Sequence, residues 1–170
     1  KGIELIEPKC SLCGKPPIQK ESEHYFFKLS SFAKKLQKWF NNPKAGIQPE
    51  VKNWLNEWME KGLEDWCISR DAPYFGFEIP DSKKETGEQK FFYVWLDAPI
   101  GYISSTQNYC QKQNEMSKNV GKTLSWKDYW KKGKVYHIIG KDIIKFHCII
   151  WPIMLLAAGV PRARYVFALT

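Results

Sequence analysis

Two short segments of the sequence carry side chains that could bind a nucleotide or an amino acid. In Gly140-Lys141-Asp142, the glycine permits a tight turn, the lysine offers a cation for phosphate, and the aspartate offers a carboxylate for an ammonium group or a ribose hydroxyl. Asp97-Ala98-Pro99 is the second segment, and each segment directly follows a short apolar run. Because ligands of open α/β sheets bind beyond the carboxyl ends of the strands, this placement predicts a ligand site. The alternative for Asp142 and Asp97 is a helix cap.

Aromatic residues lie near both turns. Trp95, Tyr102, Phe146 and Trp151, with His147 between them, could line an apolar pocket or form part of an ordinary core. On one helix, Phe146 and Trp151 cannot both face the same neighbour, which leaves one of them free to face a cleft. For His147, a buried and hydrogen-bonded structural role is favoured over a general base or a metal ligand, because no carboxylate lies four residues before or after it.

Cys10 and Cys13 have the spacing of one zinc knuckle, and Gly14 would help the backbone to fold around thiolate ligands. A structural zinc site needs about four ligands. The other cysteines lie in segments of a different type, and His24 is the histidine closest in sequence. The sequence therefore predicts half of a zinc site, with two free thiols favoured over bound zinc in this chain.

Arg70 lies between Ser69 and Asp71 and is a candidate clamp for a phosphate or a carboxylate. An arginine with an adjacent acid is more often a solvated ion pair of small energetic value, and that alternative stays open. Lysine pairs such as Lys34-Lys35 are interpreted as solvated helix faces.

The predicted secondary structure changes in character near residue 91. Residues 1–28 are interpreted as a small turn-built unit. Helices are predicted over about 31–62, with Ser31 as an N-cap and Gly62 as a left-handed C-terminal cap. Residues 67–80 are predicted to be extended. Beyond residue 91 the pattern predicts strands and helices in alternation: strand 91–96, helix 100–113, strand 135–139, helix 143–158 with a kink at Pro152, and strand 164–169. Strands that are apolar on both faces are typical of a parallel sheet covered by helices. The predicted fold class is α/β, a partial doubly wound parallel sheet preceded by a small knuckle and helical insertion.

The composition fits a folded protein with an anionic partner. A chain of 170 residues that is 44% hydrophobic and 15% aromatic can bury a core, so general disorder is excluded. The net charge of +8 favours a nucleic acid or a nucleotide as partner, and no apolar run is long enough to span a membrane. Five cysteines in this context indicate a reducing compartment, so we expect a cytoplasmic protein. The chain begins at Lys1 and closes on a predicted strand, and we expect it to be a piece of a longer protein.

Three passages together resemble methionyl-tRNA synthetases. They are Trp66–Gly76, Tyr93–Tyr102, and His137–Ile143 with the following Phe146-His147 and Trp151-Pro152. The resemblance covers nearly the whole chain. It implies that residues 1–90 are the later part of the connective peptide, the zinc-bearing insertion of that family, and that residues 91–170 are the second half of its Rossmann-like catalytic domain.

The resemblance also implies a reaction and a set of site residues. The reaction is activation of methionine by ATP, with Mg²⁺, to methionyl-adenylate, followed by transfer to tRNA(Met). Gly140, Lys141 and Asp142 would lie beside the nucleotide, with Asp142 and Arg70 as the catalytic candidates. The methionine side chain would be surrounded by Trp95, Ala98, Pro99, Tyr102, Ile143, Phe146, His147 and Trp151.

The chain departs from the family pattern in two places. The His-Ile-Gly-His and Lys-Met-Ser-Lys-Ser signatures, which bind the ATP phosphates in that family, are absent, so we expect the isolated chain to be inactive. The family pattern has His-Gly after Val166-Phe167-Ala168, whereas this chain has Leu169-Thr170.

Two other interpretations remain open. One is a basic zinc-knuckle module that binds RNA or protein, which would not need Gly140-Lys141-Asp142 after a strand. The other is a class I synthetase for an aliphatic amino acid, for which a pocket containing Trp95, Tyr102 and Trp151 is too aromatic.

Overall fold

The computed structural model describes residues 7–18, 20–116, 123–160 and 165–169. The strands in these ranges are β1 (Phe26–Phe27), β2 (Trp66–Cys67), β3 (Ser69–Asp71), β4 (Lys90–Phe92), β5 (Tyr136–Gly140) and β6 (Tyr165–Leu169). The α-helices are α1 (Ala33–Phe40), α2 (Pro49–Glu60), α3 (Ser82–Thr86), α4 (Val94–Asp97), α5 (Ile100–Met116), α6 (Trp126–Lys132) and α7 (Trp151–Ala157). Short 3₁₀ turns cover Leu29–Phe32, Pro43–Ala45 and Lys141–Ile143, and a π-helical turn covers Phe146–Ile150.

The described strands form three pairs. β1 and β2 are antiparallel, as are β3 and β4, in which Arg70 lies opposite Phe91. β5 and β6 are parallel, with Gly140 opposite Leu169 at their carboxyl ends. The parallel pairing of the two later predicted strands is therefore observed, and it places the Gly140 turn at the carboxyl edge of a parallel pair.

The prediction of a parallel strand over 91–96 is wrong. The strand ends at Phe92, pairs antiparallel with β3, and is followed directly by α4. A short apolar run does not distinguish a strand from a partly buried helix, and tertiary packing decides between them. Asp97 consequently lies at the end of a helix instead of at the end of a strand.

In the first half of the chain, the structure corrects the predicted start of α1 and confirms the predicted bounds of α2. Ser31 is not an N-cap, because it lies inside a 3₁₀ turn and α1 begins after Phe32 without a side-chain cap. α2 begins at Pro49, in the first turn where a missing N–H costs little. The prediction for Gly62 is confirmed, since its φ is +81° and its N–H donates to the carbonyl of Met59.

The predicted helix over 143–158 changes type along its length. A 3₁₀ turn leads into a π-helical turn, in which the N–H of Trp151 donates to the carbonyl of Phe146, and α7 follows. The helical backbone is continuous through Pro152, which lies two residues after the end of the π-helical turn, so the predicted helix contains the proline and the kink there stays a prediction.

One buried cluster joins the first part of the chain to the second. α1 and α2 contribute Leu36, Phe40, Val51 and Leu55, and the later segment contributes Ile139, Ile144, Cys148, Ile149, Ile150 and Ile153. Burial of each large aliphatic side chain contributes about 1.5–3 kcal/mol, so the cluster fixes the π-helical turn against α1 and α2. No helix among the described residues is both long and apolar enough to cross a membrane.

Candidate active site

Trp95 and Phe146 form the centre of an aromatic cluster. Their ring centroids are 4.2 Å apart and their planes differ by 17°, so the rings are stacked. Trp66 meets Phe146 edge-on at 6.3 Å. Trp95 is on α4 and Phe146 is the first residue of the π-helical turn, so the packing of α4 brings two distant motifs together.

A tight turn connects this cluster to Tyr102. Between α4 and α5, the N–H of Gly101 donates to the carbonyl of Ala98 at 3.0 Å, and that of Tyr102 donates to the carbonyl of Pro99 at 3.2 Å. Pro99 is buried, whereas Ala98 is exposed. The turn thus fixes the backbone from which the Tyr102 side chain extends.

His147 is buried and hydrogen-bonded at both ring nitrogens. Its Nε2 lies 2.9 Å from the Tyr102 hydroxyl, and its Nδ1 lies 3.0 Å from the carbonyl of Ile143. A neutral ring that donates from Nδ1 can accept the Tyr102 hydroxyl proton at Nε2, and burial lowers the pKa of His147, which favours that neutral form. The expectation of a buried, hydrogen-bonded histidine is confirmed.

Trp151 and His137 belong to a second group of rings, which packs around Tyr102. The Trp151 ring lies 6.3 Å from that of Tyr102 and meets Trp130 edge-on at 6.1 Å. Trp151 Nε1 and His137 Nε2 are buried without a hydrogen-bond partner among the described residues. Burial, with the neighbouring His147, lowers the pKa of His137 to about 4.

The turn after β5 presents its charged side chains to solvent. Gly140, Lys141 and Asp142 are all exposed, and the last two begin the 3₁₀ turn that ends at Ile143. The cap of this turn is Gly140, so Asp142 is not a helix cap, and its carboxylate has no bonding partner among the described residues. Asp142 is thus an available carboxylate one residue before Ile143, whose carbonyl binds His147.

Arg70 contacts an aromatic ring. Its guanidinium carbon lies 3.8 Å from the centroid of the Tyr93 ring, and its Nη1 donates to the carbonyl of Ser69 at 2.7 Å. The interpretation of Arg70 as an ion pair with Asp71 is wrong, because Asp71 accepts from the buried Lys90 Nζ at 2.6 Å. The hydrogen bond from Lys90 lowers the pKa of Asp71, and the same bond raises the pKa of Lys90.

The Cys10 knuckle is folded but incomplete. Gly14, with φ of +68°, donates its N–H to the Cys10 carbonyl at 2.8 Å, and both cysteine side chains are exposed. Backbone hydrogen bonds from Cys13 and Leu12 lower the pKa of Cys10. Among the described residues no group of three or more His, Cys, Asp or Glu side chains could hold a metal ion, and His24 Nδ1 is bonded to Ser69. These residues fit two of the ligands of a zinc site and do not form a whole one.

The sequence analysis did not single out Trp66, Tyr93 and His137, which the structure brings to this region, whereas Asp97 was one of its candidates. Trp66, Tyr93 and His137 lie within the aromatic cluster or beside it. Asp97 Oδ1 is buried without a partner among the described residues. Tyr93 and Trp66 could have been suspected, since each lies in one of the three passages that carry the family resemblance. Sequence spacing alone, however, does not show which residues of these passages are in contact in the folded chain.

Comparison with known proteins identifies the family. The family of tRNA synthetases class I (M) matches residues 1–170, and the chain belongs to that family. It is 50% identical over 169 residues to the methionine–tRNA ligases of Francisella tularensis subsp. holarctica strain FTNF002-00 / FTA and of subsp. tularensis strain WY96-3418. Each match covers 97% of this chain, which spans 23% of the length of these relatives.

Solved structures give the same result for the fold. The apo form of Mycobacterium tuberculosis methionyl-tRNA synthetase matches with a TM-score of 0.65 and 31% identity, over 94% of this chain and 29% of that one. The same enzyme in complex with methionyl-adenylate matches with a TM-score of 0.66 and 31% identity, over 94% and 28%. The fold described above is therefore that of part of a class I synthetase.

Proposed function

We propose that this chain is the part of a methionine–tRNA ligase that binds the methionine side chain and one side of the nucleotide. The observation that carries the proposal is the packing of aromatic rings from separate motifs, with Trp95 stacked on Phe146 and Tyr102 against Trp151, together with the exposed carboxylate of Asp142, which has no bonding partner among the described residues. Aromatic edges and faces suit a polarizable thioether, with about 0.3–1.5 kcal/mol for each sulfur contact. A free carboxylate at the carboxyl edge of a parallel strand pair suits an ammonium group or a ribose hydroxyl.

The relatives support the assignment of both methionine and a nucleotide as ligands. Those at 50% identity are methionine–tRNA ligases, and one structural neighbour holds methionyl-adenylate, which combines the amino acid with the nucleotide. Because this chain spans 23% of the relatives' length, the rest of the protein would supply the remaining groups for catalysis.

In the proposed reaction, a carboxylate oxygen of methionine attacks the α-phosphorus of ATP, and the bond to the bridging oxygen breaks to release pyrophosphate. Asp142 would hold the ammonium group or the ribose, and Gly140 and Lys141 would lie beside the nucleotide. Arg70 would face the developing negative charge. The side-chain pocket would be formed by Trp95, Ala98, Pro99, Tyr102, Ile143, Phe146, His147 and Trp151. These residues would act by positioning and charge stabilisation, and the aminoacyl group would then pass to tRNA(Met).

The domain organisation follows from the same proposal. Residues 1–90 would be the later part of the connective peptide, and residues 91–170 the second half of a doubly wound Rossmann-like domain in a cytoplasmic enzyme. The parallel pairing of β5 and β6 supports the second assignment. The buried cluster shared by residues 29–55 and 139–153 would hold the proposed insertion against the proposed catalytic half.

The full-length protein proposed here would bind two kinds of metal ion. ATP would bind as its Mg²⁺ complex, and no described residue is assigned to that ion. Cys10 and Cys13 would supply two thiolates of a zinc site, with the other ligands from outside the described residues. No catalytic step is assigned to zinc.

The competing interpretations are less well supported. A synthetase for valine or isoleucine would have little use for a cluster in which Tyr102 binds His147 beside Trp151. A free-standing RNA or protein adaptor would have no use for Asp142 exposed at a strand end.

The test is amino-acid-dependent exchange between pyrophosphate and ATP, catalysed by the full-length protein. We expect exchange with methionine and at least about 100-fold less with valine or isoleucine, because a side chain branched at Cβ differs in shape from the linear thioether and lacks its sulfur–aromatic contacts. Exchange that prefers an aliphatic amino acid would contradict the assignment of methionine. For residues 1–170 alone we expect no detectable exchange, because the groups that bind the ATP phosphates are absent from this sequence.

A further inference from the structure

The guanidinium of Arg70 is held in a way that leaves most of its hydrogen-bond donors available. A guanidinium carries about five N–H donors in one plane. Among the described residues, Arg70 Nη1 donates to the carbonyl of Ser69 at 2.7 Å and to Cys67 Sγ at 3.8 Å, while the flat face lies on the Tyr93 ring with 3.8 Å between the guanidinium carbon and the ring centroid. A carboxylate partner would occupy two donors, whereas an aromatic face occupies none. The stacked arrangement therefore fixes the plane of the guanidinium and leaves donors at its edge for an anion.

Tyr93 is itself fixed by backbone and ring contacts. Its N–H donates to the carbonyl of Ile68 at 2.8 Å, which ties the end of β4 to the segment between β2 and β3. Its ring meets Trp66 edge-on at 5.8 Å with an interplanar angle of 70°. Trp66 in turn packs against Phe146. The ring beneath Arg70 therefore packs, through Trp66, against Phe146 of the proposed methionine pocket without being one of the pocket residues.

The register of β3 and β4 reinforces this placement. Asp71 lies opposite Lys90 and binds its buried ammonium group, so the neighbouring Arg70 lies opposite Phe91, two residues before Tyr93. A slip of one residue would separate the buried ion pair and turn Arg70 to the other face of the strand pair.

We propose that Tyr93 is a positioning residue, which orients the Arg70 guanidinium toward the negative charge that develops during adenylate formation. The inference rests on the proposed function of this site. The ring contributes a flat surface and no hydrogen bond, so the aromatic face and not the hydroxyl carries the effect.

The test uses the full-length protein with three substitutions at Tyr93. Tyr93→Phe retains the ring, whereas Tyr93→Leu and Tyr93→Met remove it and fill similar space. We expect Tyr93→Phe to keep at least about half of kcat for methionine-dependent exchange, and both aliphatic variants to lose about tenfold in kcat. The dissociation constant for methionine alone should change less than about twofold, because the pocket residues remain. Tyr109→Leu, on the exposed face of α5 and paired with Tyr129, is the matched control and should leave both quantities unchanged.

A double-mutant cycle separates positioning from general damage. If Tyr93 acts through Arg70, then Tyr93→Leu in an Arg70→Gln background should cost less than about twofold. Full additivity of the two losses, or an aliphatic variant with wild-type kcat, would overturn this inference while leaving the proposed function intact. A wild-type protein that is inactive with methionine would instead contradict the proposed function itself.

Discussion

Trp95 stacks on Phe146 at a centroid distance of 4.2 Å, although α4 and the π-helical turn are separated by α5, α6 and β5 in the chain. The contact joins the passage that ends in Asp97-Ala98-Pro99 to the passage that follows Gly140-Lys141-Asp142. Each passage alone would be an unremarkable turn. Together they stack two aromatic rings, and the second passage also carries the exposed carboxylate of Asp142.

Removal of the Trp95 ring should weaken methionine binding. We expect Trp95→Ala to raise the KM for methionine at least about tenfold in pyrophosphate exchange, because a stacked aromatic pair and its buried area are both lost. Trp95→Phe should retain part of the affinity. Trp54→Ala, on the partly exposed side of α2, is the control and should leave this KM unchanged. An unchanged KM in Trp95→Ala would contradict the placement of the pocket.

Acidification should destabilise the protein through His137. Because burial lowers its pKa from 6.5 to about 4, the unfolded chain binds a proton in this interval that the folded protein does not. Stability should therefore fall as the pH drops from about 6.5 to about 4, by at most about 1.4 kcal/mol per pH unit for one proton, and level off below that range.

The measurement is the urea midpoint of His137→Phe and of the wild type at several pH values. The substitution should flatten the dependence without abolishing it, since burial also lowers the pKa of His147. Equal slopes in the two proteins would show that His137 does not titrate in this way.

Features of the fold that have a local physical cause could be predicted from the sequence. α2 begins at Pro49 and ends shortly before Gly62, because a proline suits the first turn of a helix and a glycine adopts a positive φ after the last turn. The parallel pairing of β5 with β6 followed from short apolar runs separated by a helix. The burial of His147 was expected because no carboxylate lies four residues before or after it.

Features that depend on tertiary contacts were not predictable in the same way. Residues 91–96 have the composition of a strand, yet α4 forms at Val94 and brings Trp95 onto Phe146. Likewise, Arg70 has an acid beside it in sequence, but Asp71 binds Lys90 from the neighbouring strand and Arg70 turns to Tyr93. In both cases the deciding partner is distant in the chain, so local propensity carries no information about it.

The shared buried cluster should make α2 important for the stability of the whole chain. Leu55 is fully buried in the cluster that includes Ile149 and Ile153. Leu55→Ala should lower the free energy of unfolding by about 2–5 kcal/mol, as for other large-to-small core substitutions. In urea unfolding, the exposed neighbour Glu57→Ala should stay within about 0.5 kcal/mol of wild type. A small effect of Leu55→Ala would mean that α2 is not part of a cooperative core.

Zinc binding should depend on residues beyond this chain. Because Cys10 and Cys13 provide two thiolates, residues 1–170 alone should retain far less than about one zinc per chain after gel filtration. In the full-length protein, Cys10→Ser should lower the zinc content measured by metal analysis. Stoichiometric, chelator-resistant zinc in the isolated chain would show that further ligands come from within it or from a second copy.

The proposed function requires that Asp142 binds substrate instead of supporting the fold. Methionine-dependent pyrophosphate exchange by the full-length Asp142→Asn variant tests it most directly, since the substitution retains size and removes only the charge. The carboxylate is exposed and has no bonding partner among the described residues, so the melting temperature should not change. We predict a loss in exchange rate of at least about 100-fold at that unchanged melting temperature. An exchange rate close to that of the wild type would contradict the account.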